Sequence, residues 1–374
     1  MSAAAKVRRV RIAQVAPPFE TVPPERYGGT ERVVATLTDE LVRRGHQVTL
    51  IGPAGSGTSA RLIPTVDKAL WLQDPRPTDL APAWSLTLDR LCEHLDEFDL
   101  VHSHVDRIGF PIARASKVPI VSTLHWRIDQ PRERQALESF IDVPLVAISE
   151  AQRRPVPQAN WVGVVHHGID VGEFTFSPTA GDYLAFLGRV SPEKGLDTAI
   201  NVARRAGFRL MIAAREPLDT ALDPGARRDT EYFEQVVKPL LRHGGAEMIG
   251  QVNRAQRDEL LRNAAALLFP IRWPEPFGLV MIEAFACGTP VIALRAGSVP
   301  EVVTHDVTGF VCDTEDELVA AVERLDRIDR AACRQAAERR FSASALANRY
   351  ERVYRRLLDG SFAAPEAPDE LSPE

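Results

Sequence analysis

The chain has 374 residues, of which 45% are hydrophobic and 26% charged, and its formal net charge is −6. The length suits two domains better than one, the composition is that of a soluble globular protein, and the acidic balance excludes a nucleic-acid binder led by a basic face. The four cysteines (Cys92, Cys287, Cys312, Cys333) stand far apart, with no CxxC pair and no histidine at zinc-ligand spacing, which predicts reduced thiols and no metal.

The basic start Lys6-Val7-Arg8-Arg9-Val10-Arg11 reads as a solvated strand start, with contact to anionic lipid as the alternative. Val10 to Val15 predicts a buried strand. After a proline-rich loop, Gly28-Gly29 precedes a helix from about Thr30 to Arg44 with apolar Val33, Val34, Leu37 and Leu41 at helical spacing. Lacking Cβ atoms, the two glycines let backbone approach a phosphate at a helix start; a plain turn is the competing reading, and GxGxxG spacing is absent. Gly45 ends that helix. Further strands are expected at Val48 to Ile51, Leu100 to His102, Ile120 to Leu124, Leu145 to Ile148 and Trp161 to Val165. His102, His104 and His125 follow strands, where side chains reach a ligand cleft; a satisfied structural histidine is the alternative.

Gly168 to Gly181, rich in Gly, Ser, Pro and Asp, reads as a linker. Strands then recur at Tyr183 to Leu187, Arg209 to Ala213, Ala246 to Ile249, Ala265 to Phe269, Pro290 to Leu294 and Gly309 to Cys312, with a helix at Leu196 to Ala206. The alternation predicts two parallel α/β domains with a ligand cleft between them. From Asp316 to Leu358 the chain is Arg-rich with interleaved carboxylates, a solvated helical surface. The tail from 360 to 374, rich in Pro, Glu and Asp, is expected to be disordered. No apolar run could span a bilayer and no signal peptide is present, so the expected location is cytoplasmic.

The densest chemistry lies in Glu275-Pro276-Phe277-Gly278-Leu279-Val280-Met281-Ile282-Glu283. Two carboxylates eight positions apart bracket a loop entering a helix. Amides at a helix start attract phosphate, and at ~1.5 Å rise per residue the carboxylates stand roughly 10 Å apart. A nucleotide-sugar, with polyols at both ends of a diphosphate, matches that layout; a solvated helix face is the bland alternative. Arg189 and Lys194, after the strand Tyr183 to Leu187, could neutralise a diphosphate leaving group or form a surface pair.

These motifs resemble the family 4 retaining glycosyltransferases, whose signature is Glu-x7-Glu followed by Gly288-Thr289-Pro290-Val291-Ile292. Tyr27-Gly28-Gly29-Thr30-Glu31, Phe186-Leu187-Gly188-Arg189-Val190-Ser191-Pro192-Glu193-Lys194-Gly195 and Gly297-Ser298-Val299-Pro300-Glu301 fit in the family's order. The resemblance covers nearly everything before the final fifteen or so residues. It implies an α/β GT-B fold of two Rossmann-like parallel-sheet domains with an interdomain cleft. The acceptor-side domain would span residues 1–170 plus a last helix at about 345–358 that crosses back onto it through Tyr350, Val353, Tyr354 and Leu357. The nucleotide-sugar domain would span 171–344.

The implied activity is transfer of a hexose from a UDP- or GDP-hexose to a hydroxyl acceptor. It would proceed by front-face attack with retention, without a divalent metal or other cofactor. The implied catalytic residues are His125 (orienting the sugar), Arg189, Lys194 and Glu275. The implied donor contacts are Gly28, Gly29, Ile249, Gly250, Phe277, Gly278, Leu279 and Glu283, with Ile249-Gly250-Gln251 near the base. The acceptor (a sugar, a lipid-linked group or a small molecule) would meet first-domain loops such as 53–64 and 126–135, with peripheral membrane contact left open and nucleic acid excluded.

Three departures from the family stand out. Ala213-Ala214-Arg215-Glu216-Pro217 replaces the usual glycines, His167 replaces the Asn before Gly168-Ile169-Asp170, and Trp273 precedes Glu275, where it could stack on a sugar or merely pack. Two alternatives remain at this level: a nucleotide-sugar epimerase of the same architecture, and a non-catalytic nucleotide-sugar-binding protein.

Overall fold

The computed structural model describes residues 9–25, 28–214, 216–217 and 225–360. Tyr27, Arg215, most of the basic start and the tail expected to be disordered (361–374) lie outside the described residues. The chain divides into two compact units, 1–168 with 343–374, and 169–342.

The first unit holds a seven-stranded parallel sheet ordered β3-β2-β1-β4-β5-β6-β7. Its strands are β1 (Arg11–Val15), β2 (Gln47–Gly52), β3 (Arg61–Pro64), β4 (Leu100–Ser103), β5 (Ile120–Thr123), β6 (Leu145–Ala147) and β7 (Trp161–Val164). The order reverses between β1 and β4, the position where open α/β sheets bind ligands beyond the strands' carboxyl ends. Gln14 pairs in register with His102, and His102 with Val121. Because side chains alternate along a strand, Gln14, His102, His104, Thr123 and His125 fall on one face.

That face is covered by the C-terminal helix Ala343–Asp359, which buries Leu346, Tyr350, Val353, Tyr354 and Leu357. This helix also packs beside the first helix, Gly29–Arg43. The first helix ends where Gly45 takes a positive φ of 92°, and the His46 N–H returns to the Leu41 carbonyl, a closure of the Schellman type. Arg44 then bonds Glu351 at 2.9 Å and the Ser344 carbonyl at 2.9 Å.

The second unit holds a six-stranded parallel sheet ordered β10-β9-β8-β11-β12-β13. Its strands are β8 (Tyr183–Leu187), β9 (Arg209–Ala213), β10 (Ala246–Met248), β11 (Ala266–Phe269), β12 (Val291–Leu294) and β13 (Gly309–Cys312). The order reverses between β8 and β11. Each unit is thus Rossmann-like.

Several expectations change. The stretch 168–181 is not a loose linker: Ile169, Val171 and Phe174 are buried in the second unit. The Arg-rich stretch is not simply a solvated surface. Buried Arg330 donates to the carbonyls of Ser177 (2.8 Å), Ala264 (2.9 Å) and Arg262 (2.8 Å) and to Thr289 Oγ1 (2.9 Å), so charge is used to close buried backbone. The presumed loops are partly regular: Arg61–Pro64 is an edge strand, and Pro131–Ser139 is a helix begun by proline at its first turn. The four cysteines are free thiols. Among the described residues, no helix is long and apolar enough to cross a membrane.

Candidate active site

In the second unit, the loops after β8 and β11 meet at the reversal of strand order. Lys194, on the turn Pro192–Lys194, donates to Glu275 Oε2 at 2.5 Å. The Trp273 indole N–H donates to the same oxygen at 2.8 Å, and the Lys194 ammonium lies 5.2 Å from the Trp273 ring centre. Glu275 is only 9% exposed. Both donors converge on one oxygen, so its other oxygen, Oε1, remains to accept from a ligand hydroxyl. Trp273 thus also holds the Glu275 carboxylate from the side.

Glu275 is fixed from behind by the late glycine motif. Gly297 has φ +53°, and a Cβ there would fall 2.3 Å from the Glu275 carbonyl oxygen and 2.4 Å from its nitrogen. The Ser298 N–H donates to the Glu275 carbonyl at 3.0 Å, and Ser298 Oγ donates to the Phe277 carbonyl at 2.8 Å. After Gly278 the helix Leu279–Ala286 starts without a side-chain cap, which leaves its first amides for an anion. Phe277 is buried, 6.0 Å from the Phe341 ring.

Glu283 lies on that helix and is 1% exposed. It pairs with Arg257 at 3.0 Å, so its charge is balanced by a buried guanidinium and it does not face open solvent. Arg189 does not join Lys194 and Glu275: it bonds Glu193 at 2.6 Å and stands 3.5 Å from Asp229. Ile249 and Gly250 follow the edge strand β10, Ile249 exposed and Gly250 at φ +78°.

In the first unit, Gly28 precedes the first helix, which likewise has no side-chain cap. Behind the two glycines lies buried Glu31, whose carboxyl is pushed up to about 7, first by burial and then by the neighbouring Glu20 charge. His125 follows β5; its backbone N–H donates to Asp106 Oδ1 at 3.2 Å. Asp106 itself is raised to about 6 by burial.

His102 and His104 are wholly buried, which corrects their reading as cleft lining. They belong to a polar chain behind His125. His125 Nε2 meets His104 Nδ1 at 2.8 Å, His104 Nε2 meets Gln14 Oε1 at 2.7 Å, and Gln14 Nε2 donates to the Tyr354 hydroxyl at 3.2 Å. Tyr354 meets His102 Nδ1 at 2.7 Å, His102 Nε2 meets Thr123 Oγ1 at 2.7 Å, and Thr123 meets the Tyr350 hydroxyl at 3.0 Å. The substituted His167 stacks on His125, ring centres 5.2 Å apart at 18°. Burial lowers all four imidazoles, His125 to about 3. They are therefore neutral near pH 7, and His125 is a hydrogen-bonding group rather than a proton store. Sequence reasoning missed Gln14 and this chain. The available signals were the His102-x-His104 alternation and the Tyr350/Tyr354 pair four apart.

Two family models match the chain: "Glycosyltransferase Family 4" over residues 27–173 and "Glycosyl transferases group 1" over residues 173–340. A glycogen synthase of Mycobacterium tuberculosis is 28% identical over 357 residues, covering 81% of this chain and 83% of that protein. A phosphatidyl-myo-inositol mannosyltransferase of the same species is 26% identical, covering 92% and 96%. Among solved structures, AviGT4, a glycosyltransferase involved in avilamycin A biosynthesis, superposes with a TM-score of 0.72 at 26% identity, covering 94% of this chain and 99% of that one.

Proposed function

The chain belongs to the family 4 glycosyltransferases of GT-B fold and is a hexosyltransferase; on that premise, we propose that it moves a hexose from UDP- or GDP-hexose to a hydroxyl acceptor with retention and without a divalent metal. The observation that carries this reading is the convergence of Lys194 and Trp273 on one oxygen of Glu275, beside an uncapped helix start. In this reading the donor diphosphate takes the amides at Leu279 and Val280 and draws the Lys194 ammonium from Glu275. Glu275 Oε1 accepts from a sugar hydroxyl, and an ionised acceptor makes that bond strong. As the glycosidic bond lengthens, charge grows on the diphosphate, and preorganised cations and amides stabilise that charge without rearranging solvent. The leaving phosphate takes the acceptor's proton on the same face, which preserves the anomeric configuration.

Gly28 and Gly29 let backbone approach the donor phosphates, and neutral His125 orients the sugar. Arg189 supplies a second cation to the diphosphate once it leaves Glu193. Ile249 and Gly250 border the nucleotide base, Phe277 and Gly278 shape the loop under the diphosphate, and Glu283, held by Arg257, receives the ribose hydroxyls. The acceptor is not fixed by family: one relative is named for glycogen and another for phosphatidyl-myo-inositol.

The test is a thermal-shift screen with UDP-, GDP- and ADP-hexoses, followed by turnover in EDTA. Only the nucleotide bound by the folded state raises the melting temperature. Lys194→Ala should lower kcat about a hundredfold, and product NMR should show the donor's own anomeric configuration. Turnover that vanishes in EDTA and returns with a divalent ion would refute metal independence; an inverted product would refute retention.

A further inference from the structure

We infer that Gln14, acting through His104, is a positioning residue that fixes His125 in the tautomer with its proton on Nε2 and a bare lone pair on Nδ1. The inference rests on the reading of His125 as the sugar-orienting group and extends it to a residue with no place in the family motifs.

The argument is one of alternation. A neutral imidazole donates at one nitrogen and accepts at the other, so in an unbroken chain each link dictates the next. The Gln14 amide oxygen faces His104 Nε2, so that nitrogen carries the proton and His104 Nδ1 accepts. His125 Nε2, 2.8 Å away, must then donate. His125 Nδ1 is left as a lone pair, and it has no hydrogen-bond partner among the described residues.

The other arm fits the same direction. The Gln14 amide nitrogen donates to Tyr354, Tyr354 donates to His102 Nδ1, and His102 Nε2 donates to Thr123. Turning the Gln14 amide over would reverse every link and place an N–H at His125 Nδ1. A buried N–H without an acceptor is a costlier orphan than a buried lone pair, so the amide oxygen stays toward His104. Three features keep the ordering rigid. Gln14, His102 and His104 are wholly buried, Tyr354 is brought from the far end of the chain by the C-terminal helix, and His167 holds the His125 ring plane by stacking.

The consequence is chemical. Nδ1 of His125, closed to solvent in this structure, can accept a hydrogen bond and cannot donate one, so a donor hydroxyl that gains access to it is met by an acceptor. A ring of mixed tautomers would present the wrong polarity part of the time.

The experiment is histidine-selective 15N NMR on the full chain at pH 7.5, with His125→Asn to assign the resonance, in wild type and in Gln14→Met. Steady-state transfer is measured on the same samples. The wild type should show His125 protonated on Nε2 alone. Gln14→Met, nearly isosteric but unable to order the chain, should show mixed tautomers, a kcat lower by about tenfold and a donor KM within about twofold. A wild-type His125 protonated on Nδ1 overturns the assignment whatever the reaction, and this arm needs no variant to fold. A Gln14→Met protein with altered tautomers but unchanged kcat overturns the positioning role. If His125→Asn is also fully active, the reading of His125 in sugar transfer has failed while the tautomer assignment stands.

Discussion

Trp273 and Glu275, two residues apart, are joined by an indole N–H to Oε2 bond of 2.8 Å on the oxygen that also takes Lys194. Trp273→Phe keeps an aromatic ring beside the ammonium and deletes the N–H alone. Loss of one hydrogen bond to a charged group is worth about 1.5 kcal/mol, so kcat/KM should fall roughly tenfold with the melting temperature almost unchanged. Steady-state transfer assays check this, and wild-type kinetics in the variant would remove Trp273 from the site.

Gly297 and Gly207 offer a matched pair. Both have positive φ, but a Cβ at Gly297 collides with the Glu275 backbone while one at Gly207 meets nothing within 4 Å. Gly207→Ala should cost only the left-handed strain, about 1 kcal/mol. Gly297→Ala adds overpacking of about 1–3 kcal/mol and should also weaken donor binding. Denaturant titration and ligand-induced thermal shift measure the two effects. Equal losses in both variants would show that the close approach does not matter.

Arg330 closes backbone from two segments of the second unit, at Ser177 and at Arg262 and Ala264. Arg330→Leu should destabilise that unit by about 3 kcal/mol, because buried carbonyls lose charged donors that water cannot replace. The Ser177 strand of contacts should become the first region to exchange amide protons. Hydrogen exchange on the full chain reads both, and an unaltered pattern near 168–181 would count against this role.

Glu31 makes stability depend on pH with a definite sign. Its folded carboxyl is raised to about 7 from the ordinary 4.5, so between those values the folded state binds the extra proton. Stability contributed by the neutral form is therefore complete below about 4.5 and is lost as pH rises through 7. Glu31→Gln should raise the melting temperature at pH 8 relative to wild type and change it little at pH 5. The buried histidines act oppositely, costing stability as pH falls below about 6.5, where the unfolded chain takes up protons. Melting curves of the pair across pH 5–8 would refute the assignment if the difference did not grow with pH.

Much of the architecture was readable in advance because parallel strands buried on both faces are short apolar runs, as in Tyr183–Leu187 and Gly309–Cys312. What escaped was polar: Arg330 and the Gln14–His104 chain look like surface or strand-end residues until a partner distant in sequence is known. The short helices at Pro131–Ser139 and Arg254–Arg262 escaped too, since few of their residues are buried.

Local sequence determined the strands and helices, the turn glycines and the order of motifs, since each depends on neighbours within a few residues. Only the tertiary structure decided which oxygen of Glu275 is occupied, that Glu283 is matched by Arg257, and that the last helix lends Tyr350 and Tyr354 to a histidine chain begun at Gln14. Those outcomes depend on which buried donor finds which acceptor across tens to hundreds of residues, and no periodicity in the chain encodes that pairing.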